Sequence, residues 1–124
     1  MAKEISPEQM AIYRATAQRR RQKEEQELAL RRRRAWEVAR QAAQILKEKF
    51  GAERVLLFGS LPFPERFHAH SDVDLAAWGV DEKRYYRAVA CLLDLDPSIS
   101  VNVLEAELAS PALLERIEQE GVLL

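Results

Sequence analysis

The sequence predicts an α+β fold: a small mixed β-sheet flanked by helices, with a long N-terminal helical extension. Three observations carry this. No Gly or Pro lies between Pro7 and Gly51, so the 43 residues from Pro7 to Lys49 are free to be helical, as one helix or as two joined near residue 30. Beyond Gly51 the pattern changes to short apolar or alternating runs of strand length. The resulting order of helix, strand, strand, helix, strand, helix is satisfied by one small sheet covered by helices.

Each element has its own signal. Ser6 stands as N-cap, Pro7 takes the first helical position, and Gln9 closes a capping box. Toward the end of this helix Trp36, Ala39, Ala43, Leu46 and Phe50 recur at three or four and form one apolar stripe. Residues 14–34 have no such stripe, so they project from the core or pack on a partner. The domain boundary is placed there, with a basic extension over 1–34 and the domain over 35–124. Val55-Leu56-Leu57-Phe58 reads as a strand buried on both faces, ending at Gly59-Ser60. After a loop with Pro62 and Pro64, Asp72 to Trp78 reads as a second strand. Asp81 caps a helix over about 82–94 with Tyr85, Ala88, Val89, Leu92 and Leu93 inward, which Asp96-Pro97 breaks. Ile99 to Val103 alternates as a third strand. Ser110-Pro111 opens a last helix to Glu120, stopped by Gly121, and Val122-Leu123-Leu124 is an apolar tail.

Composition excludes several classes. The 124 residues are 48% apolar and 31% charged, the profile of a folded globular chain rather than a disordered one. No apolar run reaches the ~20 residues of a membrane helix. Met1-Ala2-Lys3-Glu4-Ile5 lacks the apolar core of a secretory signal. A lone Cys91 cannot staple the fold, so a reducing compartment is expected, and a cytoplasmic location with it. As a thiol inside an apolar helix, Cys91 reads as buried and structural.

The net charge of −1 conceals an asymmetry. Residues 1–50 carry 13 positive and 7 negative groups, and residues 51–124 carry 6 and 13. Nine of the positive groups lie between Arg14 and Arg34, including Arg19-Arg20-Arg21 and Arg31-Arg32-Arg33-Arg34. Such an arm can neutralise nucleic-acid phosphates or an acidic partner. The reading preferred is a solvated helix face, since Glu24, Glu25 and Glu27 lie within reach one turn away and the arm has only Leu28 and Leu30 as apolar anchors.

The chemistry gathers around the first two strands. Asp72 and Asp74, two apart on a strand, face the same way with Cα atoms about 7 Å apart. Two carboxylates that close resist joint ionisation unless a cation sits between them, and a few hard oxygens suit Mg²⁺. Gly59 permits a tight turn with close backbone approach, and the Ser60 hydroxyl and turn amides can hold a phosphate. A phosphate grip facing a carboxylate pair is what metal-assisted phosphoryl or nucleotidyl transfer requires. In the intervening loop Arg66 is a candidate triphosphate clamp. His68 and His70 lack a third ligand nearby, Trp78 reads as core, and Tyr13, Tyr85 and Tyr86 read as packing residues.

Phe58-Gly59-Ser60, eleven residues, then Asp72-Val73-Asp74-Leu75 resembles the signature of the polymerase-beta-like nucleotidyltransferases, and most of all their minimal nucleotidyltransferase (MNT) domains. The resemblance covers about residues 35–124 and includes the ending from Ser110-Pro111 to Leu124. It implies that Gly59 and Ser60 hold a nucleoside triphosphate, that Asp72 and Asp74 bind Mg²⁺, and that the strand at 99–104 supplies a third site position. Asn102 stands there in place of a carboxylate. Leu61-Pro62 stands where an arginine commonly follows the serine, and the loop is one residue longer than the commonest spacing. Domains of this type are often paired with HEPN-type toxins, which some of them neutralise by transferring AMP from ATP to a tyrosine. The resemblance therefore implies an AMP-transferring antitoxin with a toxin partner. The alternative is a catalytically weak or inactive binding module, an antitoxin or a nucleic-acid-associated adaptor. Independently, a core of about 90 residues with a long helical arm has limited capacity to bury its apolar surface, so a partner or a second copy covering part of it is expected.

Overall fold

The computed structural model describes residues 4–124. Met1, Ala2 and Lys3, part of the segment read as lacking a signal core, lie outside them. Helix α1 runs unbroken from Pro7 to Phe50, 44 residues and about 66 Å at 1.5 Å per residue. Its capping box is closed on both sides: the Gln9 amide donates to Ser6 Oγ and the Ser6 amide to Gln9 Oε1, each at 3.1 Å. Gly51, at φ 71°, ends it in the left-handed conformation that glycine adopts without strain.

Strand β1 (Arg54–Phe58) pairs antiparallel with β2 (Val73–Trp78), and β2 pairs parallel with β3 (Val101–Glu105). A 3-10 turn over Glu82–Arg84, capped by Asp81, leads into α2 (Tyr85–Leu93), which makes the crossover between the parallel strands. Helix α3 (Pro111–Glu120) follows β3, and Val122–Leu123 forms β4 against the outer edge of β1. The sheet order is β3-β2-β1-β4.

Alternation on the strands divides the core in two. Val55, Leu57, Val73, Leu75, Ala77 and Val101 face α1 and α2. Against them α1 presents Ala35, Val38, Ala39, Ala42, Ala43, Leu46 and Phe50, an alanine-rich seam that brings helix and sheet close together. Leu56 and Ala76 face the other way and meet Ile117 of α3, with Phe58, Trp78, Leu104 and Leu113 around them. Among the described residues no helix is long and apolar enough to cross a membrane.

Several expectations shift. Trp36 flanks the α1 seam, half-buried, because the true stripe passes through Ala35 and Val38. The third strand begins at Val101 rather than Ile99, since a turn in which Asp96 accepts from the Ser98 amide and hydroxyl uses the preceding residues. The apolar tail is partly a strand. Helix α2 buries only Ala88 and Leu92; Leu93 is 65% exposed and Cys91 is exposed, correcting the expectation of a buried thiol. A nine-residue helix on a sheet edge offers one narrow stripe, and residues 91 and 93 fall outside it.

Candidate active site

The parallel register places Asp74 of β2 beside Asn102 of β3, and the antiparallel register places it beside Phe58 of β1, with Gly59 next in chain. Asn102 Nδ2 donates to Asp74 Oδ1 at 3.1 Å and lies 3.4 Å from Asp72 Oδ2, so one amide bridges both carboxylates. Burial pushes the Asp74 carboxyl above its ordinary range, and the Asp72 charge adds to this against the opposing Asn102 hydrogen bond. Gly59 has φ 76°, and a Cβ there would overlap Asp74 Oδ2. Glycine is thus required both by the turn and by the carboxylate it leaves room for.

Beside this cluster a cleft of about 310 Å³ is lined by Phe58, Gly59, Ser60, Arg66, Leu113, Arg116, Ile117 and Glu120. Larger clefts, of about 380 and 460 Å³, lie along α1 away from the aspartates. Arg66 lies 3.5 Å from Glu120 and sits over the Phe63 ring at 4.2 Å. Asp72, Asp74, Asn102, Gly59, Ser60 and Arg66 therefore gather at one end of the sheet. Arg116 was not singled out from the sequence. The spacing of Leu113, Arg116, Ile117 and Glu120 on one helix face was the signal that could have found it.

No protein-family model and no curated protein matches the sequence. Solved structures do. A toxin–antitoxin complex with AMP-PNP aligns at TM-score 0.57 and 19% identity, over 68% of this chain and 70% of that one. A double aspartate-to-glutamate mutant of an MntA toxin–antitoxin, its two positions two residues apart, aligns at 0.56 and 17%, with the same coverage. A tri-AMPylated Shewanella oneidensis HEPN toxin in complex with MNT antitoxin aligns at 0.53 and 16%, over 72% and 70%. The chain has the MNT-type nucleotidyltransferase fold.

Within the MNT fold the arginine cluster acquires a structural use. Arg31 Nη1 donates to Ser98 O at 2.9 Å and Nη2 to Ser71 O at 3.3 Å, tying the segment before Asp72 to the turn before β3. Arg32 Nη2 donates to Leu61 O at 2.9 Å in the loop after Ser60. Arg34 pairs with Asp96 at 2.7 Å and Glu37 at 2.9 Å. Three of the four arginines expected to project toward a partner are turned back onto the fold, and Arg33 is exposed. His68 and His70 are exposed, with the His70 amide donating to His68 Nδ1 at 3.1 Å. Among the described residues no three His, Cys, Asp or Glu side chains cluster as a metal site. Trp78 lies at the far end of β2, over which Arg54 stacks at 4.7 Å.

The residues present fit a hard divalent ion. Two carboxylates converge on one amide nitrogen, Asn102 can offer its carbonyl oxygen after a flip, and Gly59 leaves the adjoining space free of side chain.

Proposed function

We propose that this chain is a Mg²⁺-dependent nucleotidyltransferase that moves AMP from ATP to a protein hydroxyl, as the antitoxin partner of a HEPN-type toxin. The convergence of Asp72, Asp74 and Asn102 beside the Gly59-Ser60 turn carries the reading. The neighbours that hold AMP-PNP or an AMPylated toxin support it. Asp72 and Asp74 hold the metal, which when bound would neutralise charge on the triphosphate and polarise it. Ser60 and the turn amides grip the phosphates, and Arg66 clamps them from the loop. The acceptor oxygen forms a bond to the α-phosphorus, the bond to the β-phosphate oxygen breaks, and pyrophosphate departs. The hydroxyl proton passes to solvent, because Asn102 cannot accept it.

Asn102 also favours the second reading, a binding module of the same fold with a weakened site. Losing a general base costs about 10²–10⁴ in rate. The test is incubation with α-labelled ATP, Mg²⁺ and a HEPN-type partner, against Asp72→Asn/Asp74→Asn. Label on the partner that disappears in the double variant supports transfer. Complex formation without label, in both proteins alike, favours the binding module.

A further inference from the structure

The cleft beside Ser60 is lined by two arginines, Arg66 from the loop and Arg116 from α3. Glu120 is the one carboxylate in the same lining, and it reaches Arg66 at 3.5 Å. Among the described residues Arg116 forms no ion pair. Its backbone is fixed, because the next residue, Ile117, is 1% exposed in the core under the sheet. Phe58, Leu113 and Ile117 supply the apolar part of the lining.

We propose that Arg116 and Arg66 form a polyphosphate grip, and that Glu120 is an internal anion holding Arg66 until a ligand phosphate displaces it. The inference rests on the nucleotide reading of the site. The Arg66–Glu120 pair is half-exposed on both sides and beyond hydrogen-bond length, so it is weak and solvent-screened. A phosphate offers more charge and a geometry that matches the guanidinium fork, so it wins the exchange. Phe63 beneath Arg66 supports the side chain while its partner changes. Arg116 needs no release and makes the first contact.

Binding of inorganic tripolyphosphate without Mg²⁺, followed by calorimetry, tests the grip apart from nucleoside, metal and transfer. Arg116→Gln is expected to weaken binding about tenfold, with Arg116→Lys recovering part of it. Glu120→Gln is expected to tighten binding about two- to fivefold, and that gain is expected to vanish in an Arg66→Gln background. Thermal midpoints check that each variant is folded. Unchanged affinity in Arg116→Gln, or a full gain from Glu120→Gln without Arg66, overturns the proposal. Arginine-dependent tripolyphosphate binding with no AMP transfer to any partner would overturn the transferase reading and leave the grip standing. Transfer with wild-type ATP affinity in Arg116→Gln would do the reverse.

Discussion

Asn102 and Asp74 are register partners across the parallel β2–β3 pair, and the Asn102 amide donates to Asp74 Oδ1 at 3.1 Å. A neutral donor occupies the point where a third acidic group would face the other two. The amide quiets the repulsion between Asp72 and Asp74 without supplying a base.

Asn102→Asp exchanges those properties. In the metal-free protein it removes a donor and adds a third like charge, so the thermal midpoint is expected to fall, by about 1–3 kcal/mol of stability. With Mg²⁺ the order is expected to reverse, because three carboxylates bind the ion more tightly than two. AMP transfer is expected to rise, by up to about 10²–10⁴-fold. Thermal scans with and without Mg²⁺, beside a labelling assay, read all three. A variant no faster and no better at binding Mg²⁺ would show that position 102 plays no part in the chemistry.

Gly59 and Gly51 form a matched pair of probes. Both sit at positive φ, 76° and 71°, but a Cβ at Gly51 meets nothing within 4 Å whereas at Gly59 it meets the Asp74 carboxylate. Gly51→Ala is expected to cost only the left-handed strain, about 1–2 kcal/mol. Gly59→Ala is expected to cost more and to abolish Mg²⁺ binding, since Asp74 must move. Denaturant midpoints and a Mg²⁺ titration separate the effects, and equal behaviour of the two variants would contradict the close approach.

The parts of the fold legible in the sequence were those with local causes. The Ser6-Pro7 start, the Gly51 stop and the β1 run of Val55 to Phe58 each depend on neighbours a few residues away. Asp72 and Asp74 were legible as a pair because strand geometry alone puts alternate residues on one face. What was hidden depends on distant partners. Val122 and Leu123 form a strand only because the β1 edge lies open beside them. Arg116 enters the cleft only once α3 packs under the sheet.

Arg31 makes the same point, and it is testable. Counted as charge it belongs to a basic arm, yet Nη1 and Nη2 donate to Ser98 O and Ser71 O, 67 and 40 residues away. Arg31→Ala is expected to destabilise the fold by about 1–2 kcal/mol, the buried and unpartnered Nε offsetting part of what the two hydrogen bonds contribute. Arg33→Ala, on the exposed side, is expected to fall within about 0.5 kcal/mol of wild type. Urea unfolding of the two variants decides it. Salt-dependent RNA binding lost in Arg33→Ala, Arg19→Ala or Arg20→Ala would instead give the arm a phosphate-binding role.

Acid titration distinguishes Asp96 from Asp74. The Ser98 hydroxyl, the Arg34 guanidinium and the Ser98 amide hold Asp96 down at about 2. Its folded value lies below its unfolded one, so its contribution is present above the ordinary carboxylate range near 3.8 and is lost as pH falls through about 2. Asp74 has the opposite sign. Burial and then the Asp72 charge raise it, so its ionisation opposes folding, and stability falls as pH rises through its raised value. Urea midpoints at pH 2, 3, 4, 5 and 7 are therefore expected to show Asp96→Asn losing the rise between pH 2 and 4. Asp74→Asn is expected to keep that rise and to be the more stable protein at pH 7 without metal. Adding Mg²⁺ is expected to stabilise wild type and leave Asp74→Asn unmoved, so the ranking at pH 7 inverts. An Asp74→Asn midpoint that climbs with Mg²⁺ as wild type does would place the ion away from this carboxylate.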